Sequence, residues 1–279
     1  VIDFAYKVLL RPKPLRMLAN KAICSLIPAQ IKVHGATVVL NLRDPVVCGA
    51  LTLRVYENDE IHFFLSHFRA GMVFLDVGAN VGLYTALAIS REAGSVLAIE
   101  PHPETFAFLE KTVAANAPAC PVITKNTAAS NVRGEIPFFT NPDNKGDNRT
   151  YSDPLLRQSE TVPADTLDNL CAESGIESVD FVKMDIQGAE FHALRGASQI
   201  LSQSPNCLLL TEFWAYGLRQ AGSDPREYLE NLRGMGFHLY ALVGKTLKPV
   251  CDATLVKQTS DSTYTNLVCL KGTTVQIAS

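Results

Sequence analysis

The sequence predicts an α/β fold in which a mostly parallel sheet carries helices on both faces. Short apolar strands alternate with helical segments between about residues 72 and 213, which is the pattern of βαβ units. Those strands are rich in Val, Leu and Ile along their whole length, as strands buried on both faces are. The composition agrees: 47% of the 279 residues are hydrophobic and 19% are charged, enough for a full core at this length.

Residues 1–30 are basic, with Lys7, Arg11, Lys13, Arg16 and Lys21 facing the single acid Asp3. Ile2, Tyr6, Leu9 and Leu10 fall near one helical face, Pro12 and Pro14 interrupt it, and Leu15–Ile27 forms a second helical segment. Such a segment either packs on the main domain with its charges in water or touches an anionic surface. IKVHGATVVLNL reads as strands about a Gly turn, and ALTLRVY as a further alternating strand. Residues 1–56 are therefore expected to be a helical and β extension. The stretch ENDEIHFFLSHF then turns helical, and the main domain is expected over 57–279.

The strands of that domain are expected at 72–77, 95–100, 121–126, 179–185 and 206–213, with helices YTALAISREA, ETFAFLEKTVAANA, TLDNLCAES and AEFHALRGASQILSQ between them. A last helix, DPREYLENLRGMG, leads to FHLYAL and TNLVCLK, a closing antiparallel hairpin. Residues 138–160 are polar and long for a connector, so they read as a functional lid or a disordered loop.

In open sheets of this kind ligands bind past the carboxyl ends of the strands. The first strand runs into Asp76-Val77-Gly78-Ala79-Asn80-Val81-Gly82. Gly78 permits a tight turn, and Gly82 removes a Cβ where helix and ligand approach. A dinucleotide pyrophosphate needs a bare backbone where Asn80 stands, so the loop favours a ligand without one. Glu100 ends the second strand, 18 residues after Gly82, where an acid takes ribose hydroxyls.

DVGANVGLYT, AIEPHP, VPADTLDNL and VDFVKMDIQGAEFHALRGA, in that order and spacing, resemble the FkbM-type methyltransferases over about residues 56–240. The resemblance implies a Rossmann-like class I methyltransferase fold, a mostly parallel seven-stranded sheet ending in the C-terminal hairpin. It also implies S-adenosyl-L-methionine as cofactor and, most often, methylation of a hydroxyl oxygen. Asp76, Gly78, Ala79, Asn80 and Gly82 would form the methionine-side loop, and Glu100 would hold the ribose. Asn126, Thr127 and Ala128 would lie beside the adenine, and Glu57, with Tyr56, near the cofactor. Gln187 departs from the Glu that the family commonly carries, which puts a charged role there in doubt.

A hydroxyl acceptor needs a base as the new bond forms. Asp185, Glu190, His192 and Glu212 are the candidates, Asp185 first because it ends the fourth strand. Glu190 also suits a helix N-terminus, and His192 shares a helix with the inward Phe191 and Leu194. The same carboxylates could hold a divalent cation, although nothing in their spacing requires a metal. Trp214 and Tyr216 would floor an acceptor pocket or pack in the core; Asn148, Arg149 and Tyr151 would face the acceptor.

The acceptor implied is a small molecule, a sugar or a lipid-linked glycan. A net charge of −3 gives no footprint for nucleic acid. No apolar run is long enough to span a membrane, and no clear signal peptide is read; contact with a membrane surface would fall to residues 1–30. The seven cysteines are odd in number and contain no CxxC pair, so reduced thiols in a cytoplasmic protein are expected. The competing functions are a nucleotide-dependent oxidoreductase, against which Asn80 speaks, and a non-catalytic binding module.

Overall fold

The structure, a computed structural model, describes residues 13–141, 144, 146–152, 158–257 and 263–272. The apolar face expected around Ile2–Leu10 lies outside them. The chain opens with α1 (Lys13–Leu26), a hairpin of β1 (Gln30–Val33) and β2 (Ala36–Val39), α2 (Val47–Thr52) and α3 (Asn58–His67). The segment read as the strand ALTLRVY is the end of α2 and a turn. A short apolar run does not distinguish strand from helix by pattern alone. Here Asp44 decides it, its Oδ1 accepting from the N–H of Val46 and of Val47, both at 3.1 Å. Buried Val47, Cys48 and Leu51 then share a helical face.

The main unit follows: β3 (Val73–Val77), α4 (Leu83–Ser90), β4 (Ser95–Ile99), α5 (Pro103–Asn116), β5 (Val122–Lys125), β6 (Ala128–Ser130), β7 (Gly134–Thr140), β8 (Gln158–Thr166), α6 (Leu167–Glu173), β9 (Phe181–Met184), α7 (Glu190–Arg195), α8 (Ser198–Ser202) and β10 (Cys207–Phe213). It closes with α9 (Ala215–Gln220), α10 (Pro225–Gly234), β11 (His238–Val243), β12 (Thr246–Pro249), α11 (Asp252–Lys257) and β13 (Thr265–Lys271).

The large sheet has the order β12-β11-β13-β10-β9-β3-β4-β5. The five strands from β10 to β5 are parallel; β13 and β11 form the expected antiparallel pair, with β13 wedged against β10. The eighth strand, one more than expected, is the short edge strand β12, paired to β11.

Adjacent residues of a strand point to opposite faces, and the two cores follow that rule. Leu75, Val77, Val182, Met184 and Leu209 face α6, α7, α8 and α10. Phe74, Val96, Phe181 and Leu210 face α3, α4 and the N-terminal hairpin. On this second face Phe64 of α3 meets Phe74 at 5.3 Å, Phe181 at 4.9 Å and Tyr84 at 5.4 Å between ring centroids, mostly edge to face, as aromatic quadrupoles prefer. That cluster packs the C-terminal half of α3 against the starts of β3 and β9.

The N-terminal hairpin is clasped to α5 by side chains. Asn116 Oδ1 accepts from the Thr37 N–H at 2.9 Å, Asn116 Nδ2 donates to the Thr37 carbonyl at 2.7 Å, and Thr112 Oγ1 accepts from the Val39 N–H at 3.0 Å. A second sheet, β6-β8-β7, was not expected. It takes up both flanks of the polar 138–160 stretch, with residues 138–140 and 158–160 in strands. Pro137 in β7 and Pro163 in β8 disguise it, because proline lacks the ladder N–H. The helix expected over AEFHALRGASQILSQ is two short helices. It breaks at Gly196, where a Cβ would run into the Ser130 carbonyl. No helix among the described residues is long and apolar enough to cross a membrane.

Candidate active site

The parallel strands end on one side of the sheet, and two connected clefts open there. The first, of about 680 Å³, runs from Glu100, Pro101 and Ala128 past Gly78 and Asn80 to Asp185 and Gln187. The second, of about 930 Å³, is bordered by Tyr56, Glu57, Asp185, Glu212, Arg149 and Trp214. Asp185 and Gln187 border both clefts.

The glycine loop and Glu100 are joined physically. The Asn80 N–H donates to Glu100 Oε2 at 3.0 Å and the His102 N–H to Oε1 at 2.9 Å. Each carboxylate oxygen keeps a lone pair for a ligand. Glu100 is 6% exposed, and burial pushes its carboxyl up to about 7 against the pull of those two donors. Gly78 has φ +81°, and a Cβ there would strike the Asp185 carbonyl. Gly82 has φ +87°, and a Cβ would press on Leu109 and Thr112 of α5.

Several expected site residues are placed differently. Asp76, expected in the methionine-side loop, is 1% exposed behind the loop and accepts from the Thr85 hydroxyl at 2.6 Å. Burial raises its carboxyl to about 6. Among Asn126, Thr127 and Ala128, only Ala128 borders the first cleft. Asn126 instead donates through Nδ2 to the carbonyls of Glu100 and Pro101, at 2.8 and 2.9 Å, holding the strand end. Ala79 and Glu57 border a third, small recess with Lys183 and Tyr84.

Asp185 ends β9 with Oδ1 accepting from Gln187 Nε2 at 2.8 Å and Oδ2 at 3.7 Å from Lys183 Nζ. Gln187, with φ 54° just before Gly188 at φ 100°, thus brings an amide donor where a charge was in doubt. Glu190 is 1% exposed beneath this turn; Oε1 accepts from the Ile186 N–H at 3.1 Å. Burial and the nearby Asp185 push its carboxyl up to about 7, against the pull of backbone N–H groups. It borders neither cleft, so it belongs to the turn. His192 is not brought there either: Nε2 meets the Ala221 carbonyl at 2.9 Å, beside a different recess. Glu212 does reach the second cleft, and burial together with Asp185 and Glu190 raises its carboxyl well above the usual range. Among the described residues no three His, Cys, Asp or Glu side chains gather so as to hold a metal ion.

Arg149 is 7% exposed, bonded to Asp147 Oδ1 through Nε at 2.8 Å and NH2 at 2.7 Å, and lies 4.9 Å from the Trp214 ring centroid. Trp214 itself is 6% exposed and borders the second cleft. Sequence reasoning missed Lys183 and Tyr84. Alternation along β9 was the available signal for Lys183, a cation on a face otherwise holding Phe181.

Three buried carboxyls raised toward 6 or 7 make stability depend on pH. A native pKa above the unfolded value means that the native state holds the proton more tightly. The stability contributed by Asp76, Glu100 and Glu190 is therefore fully present below about pH 4 and is lost as pH rises through about 6 to 7. Urea unfolding of the ligand-free protein is expected to show a falling midpoint between about pH 5 and pH 8; a flat or rising midpoint contradicts this.

A model of the family described as Methyltransferase FkbM domain matches residues 76–239, more than half of the chain. The chain belongs to this family. S-adenosylmethionine is the cofactor of FkbM methyltransferases. Hexuronic acid methyltransferase AglP of Haloferax volcanii is 28% identical over 172 residues, 61% of this chain and 65% of that protein's length. The match therefore spans slightly less than two thirds of that relative. Among solved structures, P. horikoshii TYW2 in complex with MeSAdo is 12% identical, with a TM-score of 0.49 over 95% of this chain and 84% of that one. A SAM-dependent O-methyltransferase from Thermotoga maritima is 13% identical, with a TM-score of 0.43 over 88% and 78%.

Proposed function

We propose that this FkbM protein transfers a methyl group from S-adenosylmethionine to a hydroxyl oxygen of a small molecule, a sugar or a lipid-linked glycan. The single observation that carries the reading is Asp185, a strand-end carboxylate bordering both clefts. One side of it leads to Glu100 and the glycine loop, the other to Glu212 and Trp214.

The donor fits the residues present. Gly78 leaves bare backbone beside Asp185, and Glu100 offers two oxygens to a pair of hydroxyls. Bound there, the donor supplies an electrophilic methyl on a sulfonium. Asn80 and the backbone of the 78–82 loop would line its amino-acid end and Ala128 its base, while Glu57 borders the second cleft. Asp185 would take the acceptor's proton at Oδ2, since Oδ1 carries the Gln187 amide. Glu212 and Trp214 would hold the acceptor, the carboxyl by hydrogen bonds and the indole by its flat apolar face. The hexuronic acid named for the Haloferax volcanii relative supports a sugar as the acceptor class.

Glu100 provides the test of the donor half. Ribose hydroxyls donate best to the ionised carboxylate, so binding lowers a pKa that stands at about 7 in the free protein. S-adenosylhomocysteine binding is thus expected to release a proton near pH 6.5 and to tighten as pH rises through 7. Calorimetry in buffers of different ionisation enthalpy reads the proton directly, and Glu100→Gln is expected to abolish the release. Affinity independent of pH, with no proton released, would remove Glu100 from the ribose. For the acceptor half, purified protein and S-adenosylmethionine are incubated with neutral sugars, uronic acids and lipid-linked glycans. Formation of S-adenosylhomocysteine above the acceptor-free rate supports the reading; none with any of them opposes it.

A further inference from the structure

We propose that Lys183 is a positioning residue that gathers Glu57 and Asp185 at the acceptor-side cleft. The proposal rests on the methyltransferase reading for its functional meaning. Lys183 is the penultimate described residue of β9 and is 6% exposed. Its Nζ lies 3.7 Å from Asp185 Oδ2 and 3.9 Å from Glu57 Oε2. Those two carboxylates come from different parts of the chain, one from the strand end and one from the residue preceding α3. No other described cation is shown bridging them; Arg149 is committed to Asp147.

The surroundings explain why the ammonium stays. In the parallel register Lys183 stands beside Asp76 of β3, so the two side chains share a face of the sheet. Tyr84 of α4 presents its ring at 5.3 Å and its hydroxyl donates to Glu57 Oε2 at 2.7 Å. Glu212 of β10 acts on it at longer range. Burial alone would pull a lysine's pKa down, but Glu57, Asp185, Glu212 and Asp76 together push it above the ordinary range. An isolated ammonium at this depth would be strongly unfavourable; one shared among four carboxyls is not. Glu57 also adopts a left-handed φ of 41°, a conformation uncommon outside Gly and Asn. From that conformation its Oε2 lies 3.9 Å from Lys183 Nζ. Lys183 thus acts through Asp185 and Glu57, orienting the groups that meet the acceptor.

The first test uses the unaltered protein. Side-chain ammonium NMR of ¹⁵N-lysine-labelled protein is expected to show one lysine still protonated above the ordinary lysine midpoint of about 10.4, and Lys183→Arg assigns it. Loss of that proton below about pH 9 overturns the proposal. The second compares variants by ¹³C-carboxyl titration. In Lys183→Met the carboxyls of Asp76 and Glu212 are expected to titrate at least about one pH unit higher, and Lys183→Arg is expected to keep them near their original midpoints. Superimposable titrations in all three proteins overturn it; if Lys183→Met does not fold, the wild-type and Arg measurements still decide. S-adenosylhomocysteine affinity is expected to stay within about threefold in Lys183→Met. A large loss of affinity with unmoved carboxyls means that Lys183 touches the donor, and the proposal fails. Wild-type protein that does not bind S-adenosylhomocysteine at all sinks the methyltransferase reading, while the titrations still decide the role of Lys183.

Discussion

Asp185→Asn is expected to bind S-adenosylhomocysteine within about threefold of wild type while losing about 10²–10⁴ of its turnover, the usual share of a general base. The amide preserves the shape of the side chain, and its Oδ1 can still accept from Gln187 Nε2. What it removes is the proton-accepting oxygen at the junction of the two clefts. Initial rates with a working acceptor, paired with calorimetry, separate the two halves of the prediction. Unchanged turnover would take Asp185 out of proton transfer. Loss of cofactor affinity in step with turnover would make it a donor-binding residue.

Gly78→Ala is expected to damage both halves together. The position has φ +81°, which costs a residue with a Cβ about 1–3 kcal/mol. The added carbon also has nowhere to go, because it meets the main-chain carbonyl of Asp185 and the Ile186 side chain. Backbone cannot swing aside as a flexible side chain does. The variant should melt about 5–10 °C lower and lose most S-adenosylhomocysteine affinity. Gly175→Ala is the matched control: φ is also positive, at +69°, but no atom lies within 4 Å of the new Cβ. It should show a backbone cost alone, with cofactor affinity intact. Equal affinity losses in the two variants would mean that the close approach at Gly78 is unimportant.

The legible part of the molecule is the part ruled by short-range pattern. Strands β3, β4, β9 and β10 announce themselves because burial on both faces leaves them largely apolar, and the edge strand β5 does so by its Val and Ile. The glycine loop and Glu100 were legible together because the turn chemistry and the distance between them are both constrained. The β6-β8-β7 sheet was not, since Pro137 and Pro163 argue locally against strands that tertiary pairing nonetheless forms. Asp76 and Glu190 were read as facing a ligand because each is an acid near a strand end; depth, which sequence does not report, puts both behind the backbone. Lys183 escaped notice for the converse reason. A lysine inside VDFVKMD reads as an interruption of a hydrophobic run, and only the meeting of β3, α3 and α4 around it reveals the carboxyls it faces.

Glu57, Phe64 and Phe74 stand upstream of residue 76, where the matched family span begins, and β13 returns after residue 239, where it stops. A version cropped to that span would start midway through β3, shedding Phe64 and Phe74 from under Phe181 and leaving β10 without its antiparallel neighbour. The smallest portion able to work is therefore larger than residues 76–239.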